Sequence, residues 1–445
     1  MPPASEHRNA PPVVVIGEGL AGSEAAWQLA RRGYRVRLHE MRPGKMTPAH
    51  RTANAAELVC SNSFKSIRIE SAQGVMKREL EALDSLVLRC AHAARIPGGE
   101  ALVVDRDRFA AGVEAALLAE PLIERVPGEL ERIPDDPVVI VATGPLTSDA
   151  LSTDISRILG EKHLAFYDAI SPIVDAESVD GTRLYRLSRY GHGGDDYWNI
   201  PLDQAAYYRL VDQLVAAEPY PEKSFENLRP FEGCMPIEDI ARRGRDTLRF
   251  GPLKPVGLPD PRTGRDPYAV VQLRMENREA TMWSLVAFQT KLRHGDQMAI
   301  LRSLPGLEQA EFLRLGSIHR NTFVCAPRLL DGTLQAKARK GLYFAGQITG
   351  VEGYTESTVM GAVAALHAVC RLQGKALPQW PRNSAIGSLL HYLKEANPET
   401  FQPMNFNWGL LEPLGHKARK EERHRLLGER AWAEYRSFLT GLEAA

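Results

Sequence analysis

Four consecutive β-branched residues, Val13-Val-Val-Ile16, run directly into Gly17-Glu18-Gly19-Leu20-Ala21-Gly22, and this junction constrains the chain more than any other segment. Such an apolar run is a buried parallel strand, and the glycines fall in the Gly-x-Gly-x-x-Gly spacing of a dinucleotide turn. Gly17 permits the tight strand-to-helix turn, and Gly19 lets the backbone approach phosphate. Gly22 lets the helix lie against the strand with its N-terminal amides aimed at negative charge. The pattern predicts a helix over 23–32 closed by Gly33, then a second strand over 35–40. That strand ends in Glu40, eighteen residues after Gly22 and placed to accept ribose hydroxyls. The three-glycine spacing alone is common; strand, turn, helix and acid together specify a dinucleotide-binding βαβ unit.

The rest of the chain must be organised around that cofactor. With 445 residues, two or three domains are expected, and 44% hydrophobic and 25% charged residues describe an ordinary soluble globular protein. No stretch of eighteen apolar residues occurs and residues 1–12 lack the apolar core of a signal peptide, so a cytoplasmic protein with no membrane association is expected. Five cysteines without a Cys-x-x-Cys pair argue against a disulfide framework and against a metal site. Net charge is zero, so a polyanion partner would have to use local patches. Arg242-Arg243-Gly-Arg245, Lys337-Ala-Arg339-Lys340 and the run 416–425 are such patches, and each also reads as a solvated face. Oligomeric state is not encoded in any of these features.

Two later segments identify the dinucleotide as FAD. Val138-Val-Ile-Val-Ala-Thr143-Gly144-Pro145 is a strand that returns to the cofactor domain and brings Thr143 and Gly144 near the adenine-ribose side. Gly341-Leu-Tyr-Phe-Ala-Gly346-Gln347 is another apolar strand ending in glycine, followed by Gly350, Gly353, Tyr354 and a small-residue helix over 356–372. A late helix N-terminus of this kind reaches the far end of an extended cofactor, where its positive end stabilises charge on a reduced isoalloxazine. The expected fold is therefore α/β, a Rossmann-type FAD-binding domain made discontinuously from 11–155 and 325–375. An inserted α+β domain for substrate or tRNA occupies 156–324, and a helical C-terminal segment over 376–445 packs on the FAD domain. No second nucleotide fingerprint follows, so NAD(P)H would be a visiting reductant.

Cys90, Cys325 and Cys370 sit in apolar or small-residue surroundings and read as inert buried thiols. Cys60 lies in a polar loop with Asn62 and Lys65, and Cys234 lies between Gly233 and Pro236 with Arg242 and Arg243 beyond. Loop thiols near cations are the competent nucleophiles of such a chain, so both are catalytic candidates.

These residues lie in segments that resemble the flavin- and folate-dependent tRNA uracil-5-methyltransferases, the TrmFO branch of the GidA-like flavoproteins. The resemblance spans most of the chain. It rests on Gly17-Glu-Gly-Leu-Ala-Gly-Ser-Glu-Ala-Ala-Trp27, Glu40-Met-Arg-Pro43, Cys60-Ser-Asn-Ser-Phe-Lys-Ser66 and Phe231-Glu-Gly-Cys-Met-Pro-Ile-Glu238. Lys254-Pro-Val-Gly-Leu-Pro-Asp-Pro-Arg-Thr-Gly264, His319-Arg-Asn-Thr-Phe323 and Asn405-Phe-Asn-Trp-Gly409 extend it. Departures are Val59, where the family often carries Asn or Glu, and the loose segment 191–197, so His192 receives no role. The resemblance implies transfer of a one-carbon unit from 5,10-methylenetetrahydrofolate to C5 of the T-loop uridine of tRNA (m5U54), with FADH2 as reductant and NAD(P)H regenerating it. It also implies that the pterin stacks on the isoalloxazine. C5 of uracil becomes nucleophilic only when something adds at C6, a task suited to a thiolate. Cys234 is the first choice for that addition and Cys60 for handling the one-carbon adduct or the C5 proton, an assignment that can be reversed. His319 and Arg320 are candidate pterin contacts; Lys254, Arg262 and Arg274 are candidate contacts to the folate tail or RNA.

Three other functions compete. A GidA-type enzyme would act on wobble uridine with a partner protein, a flavin oxidoreductase would act on a small molecule with both thiols structural, and a flavoprotein could bind RNA without catalysis.

Overall fold

A computed structural model describes residues 11–161, 164–219, 235–416 and 418–444. Five parallel strands form the first sheet in the order Leu342–Phe344, Val139–Val141, Val13–Ile16, Val36–Glu40 and Ile123–Pro127. Counted along the chain this order is 5-4-1-2-3, a doubly wound α/β sheet of the Rossmann kind. Its direction of winding reverses between Val13–Ile16 and Val139–Val141, so a crevice opens at the carboxyl ends of those two strands. All four residues of Val13–Ile16 are buried, as strands covered by helices on both faces require.

Local boundaries differ from the sequence expectation in an instructive way. The first helix spans Leu20–Ala30, beginning three residues earlier than its amphipathic pattern, because Gly19 is extended and the chain turns helical immediately after it. The late helix likewise begins earlier, at Tyr354–Leu372, directly after Gly353.

Six antiparallel strands form a second sheet, in the order Tyr185–Arg186, Tyr197–Leu202, Ala269–Met275, Met282–Leu285, Ile173–Asp175 and Phe312–Arg314. Its core, with Ile200, Tyr207, Leu273 and Trp283, is separate from that of the parallel sheet. Two elements link the layers. Leu164–Ile170 pairs antiparallel with Ser317–Phe323, carrying the chain out and back. Ala101–Val104 lies between Ser63–Ser66 and Arg95–Ile96, and its side chains alternate between cores: Leu102 and Val104 join the first, Val103 the second. The small sheet thus ties Cys60's neighbourhood to both layers.

The C-terminal helices Ala385–Glu395 and Lys420–Ala444 pack on the first core through Leu389, Leu393, Leu427 and Tyr435. Glu79, fully buried, accepts the Ala385 and Ile386 N–H groups at 2.7 and 2.9 Å, covering the otherwise unsatisfied start of the first of these helices. Burial pushes the Glu79 carboxyl up to about 8 against the pull of those two donors. A carboxyl raised on folding contributes stability that is full below its unfolded pKa and is lost as pH rises through the folded one. Thermal stability should therefore fall between about pH 4.5 and 8 by roughly 1 kcal/mol per unit from this group. Melting curves across that range should flatten in Glu79→Gln; an unchanged slope would remove Glu79 as the cause.

Candidate active site

The crevice is a cleft of about 1040 Å³ lined by Gly17, Gly19, Leu20, Ala21, Glu40, Arg42, Thr143, Gly144, Gly346, Gln347 and Tyr354. Gly17 holds φ at +99°, and a side chain there would sit 2.7 Å from the Ala142 carbonyl oxygen. At Gly19 an added Cβ would meet nothing within 4 Å. Its missing side chain is free space on the cleft wall, the opening a pyrophosphate needs. No side chain caps Leu20–Ala30 and its first turn has no acid, so its leading amides remain for an anion. The residues present therefore fit a dinucleotide: Thr143 abuts Gly17 and Gly346 abuts Ala21, and Gly144, Gln347 and Tyr354 complete the lining.

Glu40 is built into this cleft by partners that the spacing did not reveal. Its carboxylate accepts the Glu18 N–H at 2.9 Å, the Arg42 N–H at 3.0 Å and Arg42 Nε at 2.9 Å. Burial raises the Glu40 pKa, but the Arg42 guanidinium and these N–H donors outweigh it and hold the group below its ordinary value. Glu18 points away from the cleft, its buried carboxylate paired to Arg125 at 2.8 Å. Gly22 is buried beneath the turn, with no contact to the cleft.

At its Gln347 end the cleft adjoins a second chamber of about 1700 Å³, with Val59, Pro145, Leu146, Gln347 and Tyr354 common to both. Cys60, Ser61, Lys65, Arg274, Arg314 and Gly353 line this chamber. Cys60 itself is held through its backbone. Tyr354 Oη accepts the N–H groups of Cys60 and Ser61, each at 3.0 Å, and donates to the Ser61 carbonyl at 2.8 Å. The Cys60 carbonyl accepts Arg106 Nη2 at 3.0 Å and Arg314 Nη2 at 3.2 Å. Two chamber residues, Lys65 and Ala287, have φ of 64° and 55°, left-handed backbone that side-chain-bearing residues rarely adopt and that concentrates at functional sites.

Behind Cys60 lies a buried charge cluster. Glu276, 1% exposed, accepts Arg106 Nε at 2.6 Å and faces Arg274 Nη2 at 3.9 Å. Burial would raise its carboxyl, but Arg106 and Arg274 hold it below its ordinary value. Asn62, fully buried, donates to the Val104 and Met275 carbonyls at 2.9 Å each and accepts Arg274 Nε at 3.0 Å. Arg106, Glu276 and Arg314 were not singled out from the sequence: each is an ordinary charged residue in a separate segment. Asn62 stands inside the Cys60 motif and gave the only local signal.

The remaining candidates are dispersed. Arg262 pairs with Asp260 at 2.7 Å and lines a different groove with Thr182, Arg209 and Tyr268. Lys254 is exposed, its carbonyl taking Arg189 Nη2 at 2.9 Å. His319 and Arg320 fall in Ser317–Phe323, opposite Asp168 and Tyr167, and their side chains lie outside the described residues. Cys234 also lies outside the described residues. Cys90, Cys325 and Cys370 are free, with burial pushing each thiol up. Among the described residues no group of three or more His, Cys, Asp or Glu side chains could hold a metal, and no helix is long and apolar enough to cross a membrane.

Comparison with known proteins gives three findings. The family described as Glucose inhibited division protein A matches residues 12–376. The methylenetetrahydrofolate--tRNA-(uracil-5-)-methyltransferase TrmFO of Pelotomaculum thermopropionicum is 53% identical over 94% of this chain and 96% of its own length. The protein of the same name from Geotalea uraniireducens is 52% identical over 97% of this chain and 99% of its own. Among solved structures, Aquifex aeolicus GidA in its form I crystal superposes with a TM-score of 0.67 over 97% of this chain and 78% of that one, at 18% identity. The last is a likeness of fold alone.

Proposed function

This chain belongs to the Glucose inhibited division protein A family and within it to the TrmFO branch, and from that premise we infer that it is a methylenetetrahydrofolate-dependent tRNA (uracil-5-)-methyltransferase. The observation that carries the reading is the adjoining of a dinucleotide cleft and a chamber bearing Cys60 across the wall of Gln347 and Tyr354. FAD would be held by the Gly17–Gly22 turn, Glu40, the Thr143 and Gly144 turn and the residues Gly346, Gln347, Gly353 and Tyr354. When bound, it supplies the electrons that reduce the transferred carbon to a methyl group, with NAD(P)H as the external source.

The chain's own residues do the rest. Cys234 adds to C6 of the target uridine and Cys60 manages the incoming one-carbon unit or removes the C5 proton, with the reverse assignment decided by the variants in the Discussion. Tyr354, Arg106 and Arg314 fix the Cys60 backbone, which leaves its thiol to the chamber. His319 and Arg320 are proposed pterin contacts. Lys254 and Arg262, away from the chamber, are proposed contacts to tRNA, and a cytoplasmic location is proposed with that substrate.

Purified protein should be yellow. Supplied with methylenetetrahydrofolate, NAD(P)H and unmodified tRNA, it should place a single methyl on the T-loop uridine, read by mass spectrometry of nuclease fragments. No tRNA product under reducing conditions would sink the reading. Modification in the anticodon loop would replace it with a GidA-type activity.

A further inference from the structure

The chamber wall beside Cys60 carries more positive charge than its carboxylate offsets. Arg106, Arg274 and Arg314 share the single buried Glu276, and two of the three spend their terminal nitrogens on protein acceptors, although the Arg314 Nε is buried without a partner among the described residues. Arg106 donates to Glu276 and to the carbonyls of Leu58 and Cys60. Arg314 reaches the carbonyls of Val59, Cys60 and Ser171 at 3.4, 3.2 and 3.3 Å. Burial, reinforced by the charge on Arg106, pushes Arg314 down to about 10. Arg274 differs. Asn62 takes its Nε at 3.0 Å, its nearest carboxylate oxygen is 3.9 Å away, and its terminal nitrogens make no hydrogen bond to any described residue. The Arg274 side chain is 14% exposed, and the chamber is where that exposure lies. A guanidinium aimed by one edge, with its other donors unspent in the chamber that Cys60 also lines, is a preorganised anion site.

We propose that Arg274 is the oxyanion site for the target uridine, binding its O4 carbonyl and taking the charge that develops there when a thiolate adds at C6. The proposal rests on the methylation reading above. In that step the sulfur electron pair forms the S–C6 bond, the C5=C6 π pair moves to C4–C5 and the carbonyl π pair moves to O4. No group leaves and no proton moves, so one full negative charge appears on the pyrimidine. Donors already fixed in the protein wall stabilise it with little reorganisation, an effect worth roughly 100- to 1000-fold in rate for a single donor.

The step can be read apart from folate chemistry. The FAD-loaded enzyme is incubated with tRNA carrying tritium at uridine C5, without folate, and release of label from the T-loop position reports C6 addition. At saturating tRNA, Arg274→Gln should lower exchange about 100-fold and leave flavin absorbance, melting temperature and tRNA Kd within about twofold, while Arg274→Lys recovers to within about tenfold of the parent. Parental exchange in Arg274→Gln overturns the site. So does a loss that saturating tRNA restores, which marks a phosphate contact, or intact exchange with a raised folate KM, which marks a folate carboxylate contact. Should Arg274→Gln fail to fold, Arg274→Lys decides by the same assay: a loss of exchange of roughly three- to tenfold at parental tRNA Kd supports the site and parental exchange overturns it. No exchange in the parent itself overturns the methylation reading and the site with it.

Discussion

Cys60→Ala should abolish methylation, by at least about 100-fold, and leave a yellow, stable, tRNA-binding protein. The separation is expected because the thiol holds nothing in place. The Cys60 loop is anchored by its N–H on Tyr354 Oη and by its carbonyl on Arg106 and Arg314, bonds that alanine keeps unchanged. Tyr354→Phe is the contrasting variant. It leaves the part-buried N–H groups of Cys60 and Ser61 without their acceptor, at a cost of up to about 1–3 kcal/mol each where water does not replace it, so loop geometry and stability should change together. Cys234→Ala should also lose methylation. C5 hydrogen exchange without folate then sorts the two thiols: the variant that loses exchange has lost the C6 nucleophile, and the one that keeps it has lost the later step. Full methylation by Cys60→Ala would remove it from the chemistry.

The cofactor cleft was legible from the chain because its determinants are local. Val13–Ile16, the turn and the acid at Glu40 lie within thirty consecutive residues, and each follows from a period or a backbone requirement. Arg42 was missed although it stands two residues after Glu40, since no period announces a side chain that curls back onto a strand end. The chamber is another matter. Cys60 could be proposed from residue type and polar surroundings, but Arg106, Glu276 and Arg314 come from a helix start, the end of Ala269–Met275 and an edge strand. They meet only because Ala101–Val104 and the second sheet close over the Cys60 loop. Burial turns an ordinary Glu276 into the hub of three arginines, and burial of a charged residue leaves no trace in its local sequence. Likewise Lys254 and Arg262, quoted with a distinctive motif, fold onto a separate face, because motif membership fixes neither direction nor distance.

Gly22→Ala should cost the protein its flavin and much of its stability together, whereas Gly19→Ala should cost flavin alone. A methyl at Gly22 would sit 1.8 Å from the Gly17 carbonyl oxygen, 2.9 Å from that carbonyl carbon and 3.4 Å from Ala142 Cβ. The obstacle is backbone, so no rotamer relieves it, and Gly17 is itself tied to the neighbouring strand through its N–H on the His39 carbonyl at 2.8 Å. The helix would have to lift off the sheet. Its other side is closed: the Ala21 carbonyl oxygen lies 2.2 Å from where a Cβ of Gly361 would stand, so Leu20–Ala30 is gripped between the turn and Tyr354–Leu372. Overpacking of an adaptable core costs about 1–3 kcal/mol, and with backbone on both sides the upper end is the expectation. For a chain of 445 residues that corresponds to a fall in melting temperature of roughly 3 °C. The same displacement misaligns the leading amides, so the purified variant should be colourless and bind added FAD at least about 100-fold more weakly. At Gly19 the added methyl meets no protein atom and projects into the cleft. The apoprotein should then melt as the parent apoprotein does, with the loss confined to FAD titration. A yellow Gly22→Ala protein with parental melting would show that helix and turn do not press together as closely as this cradle requires.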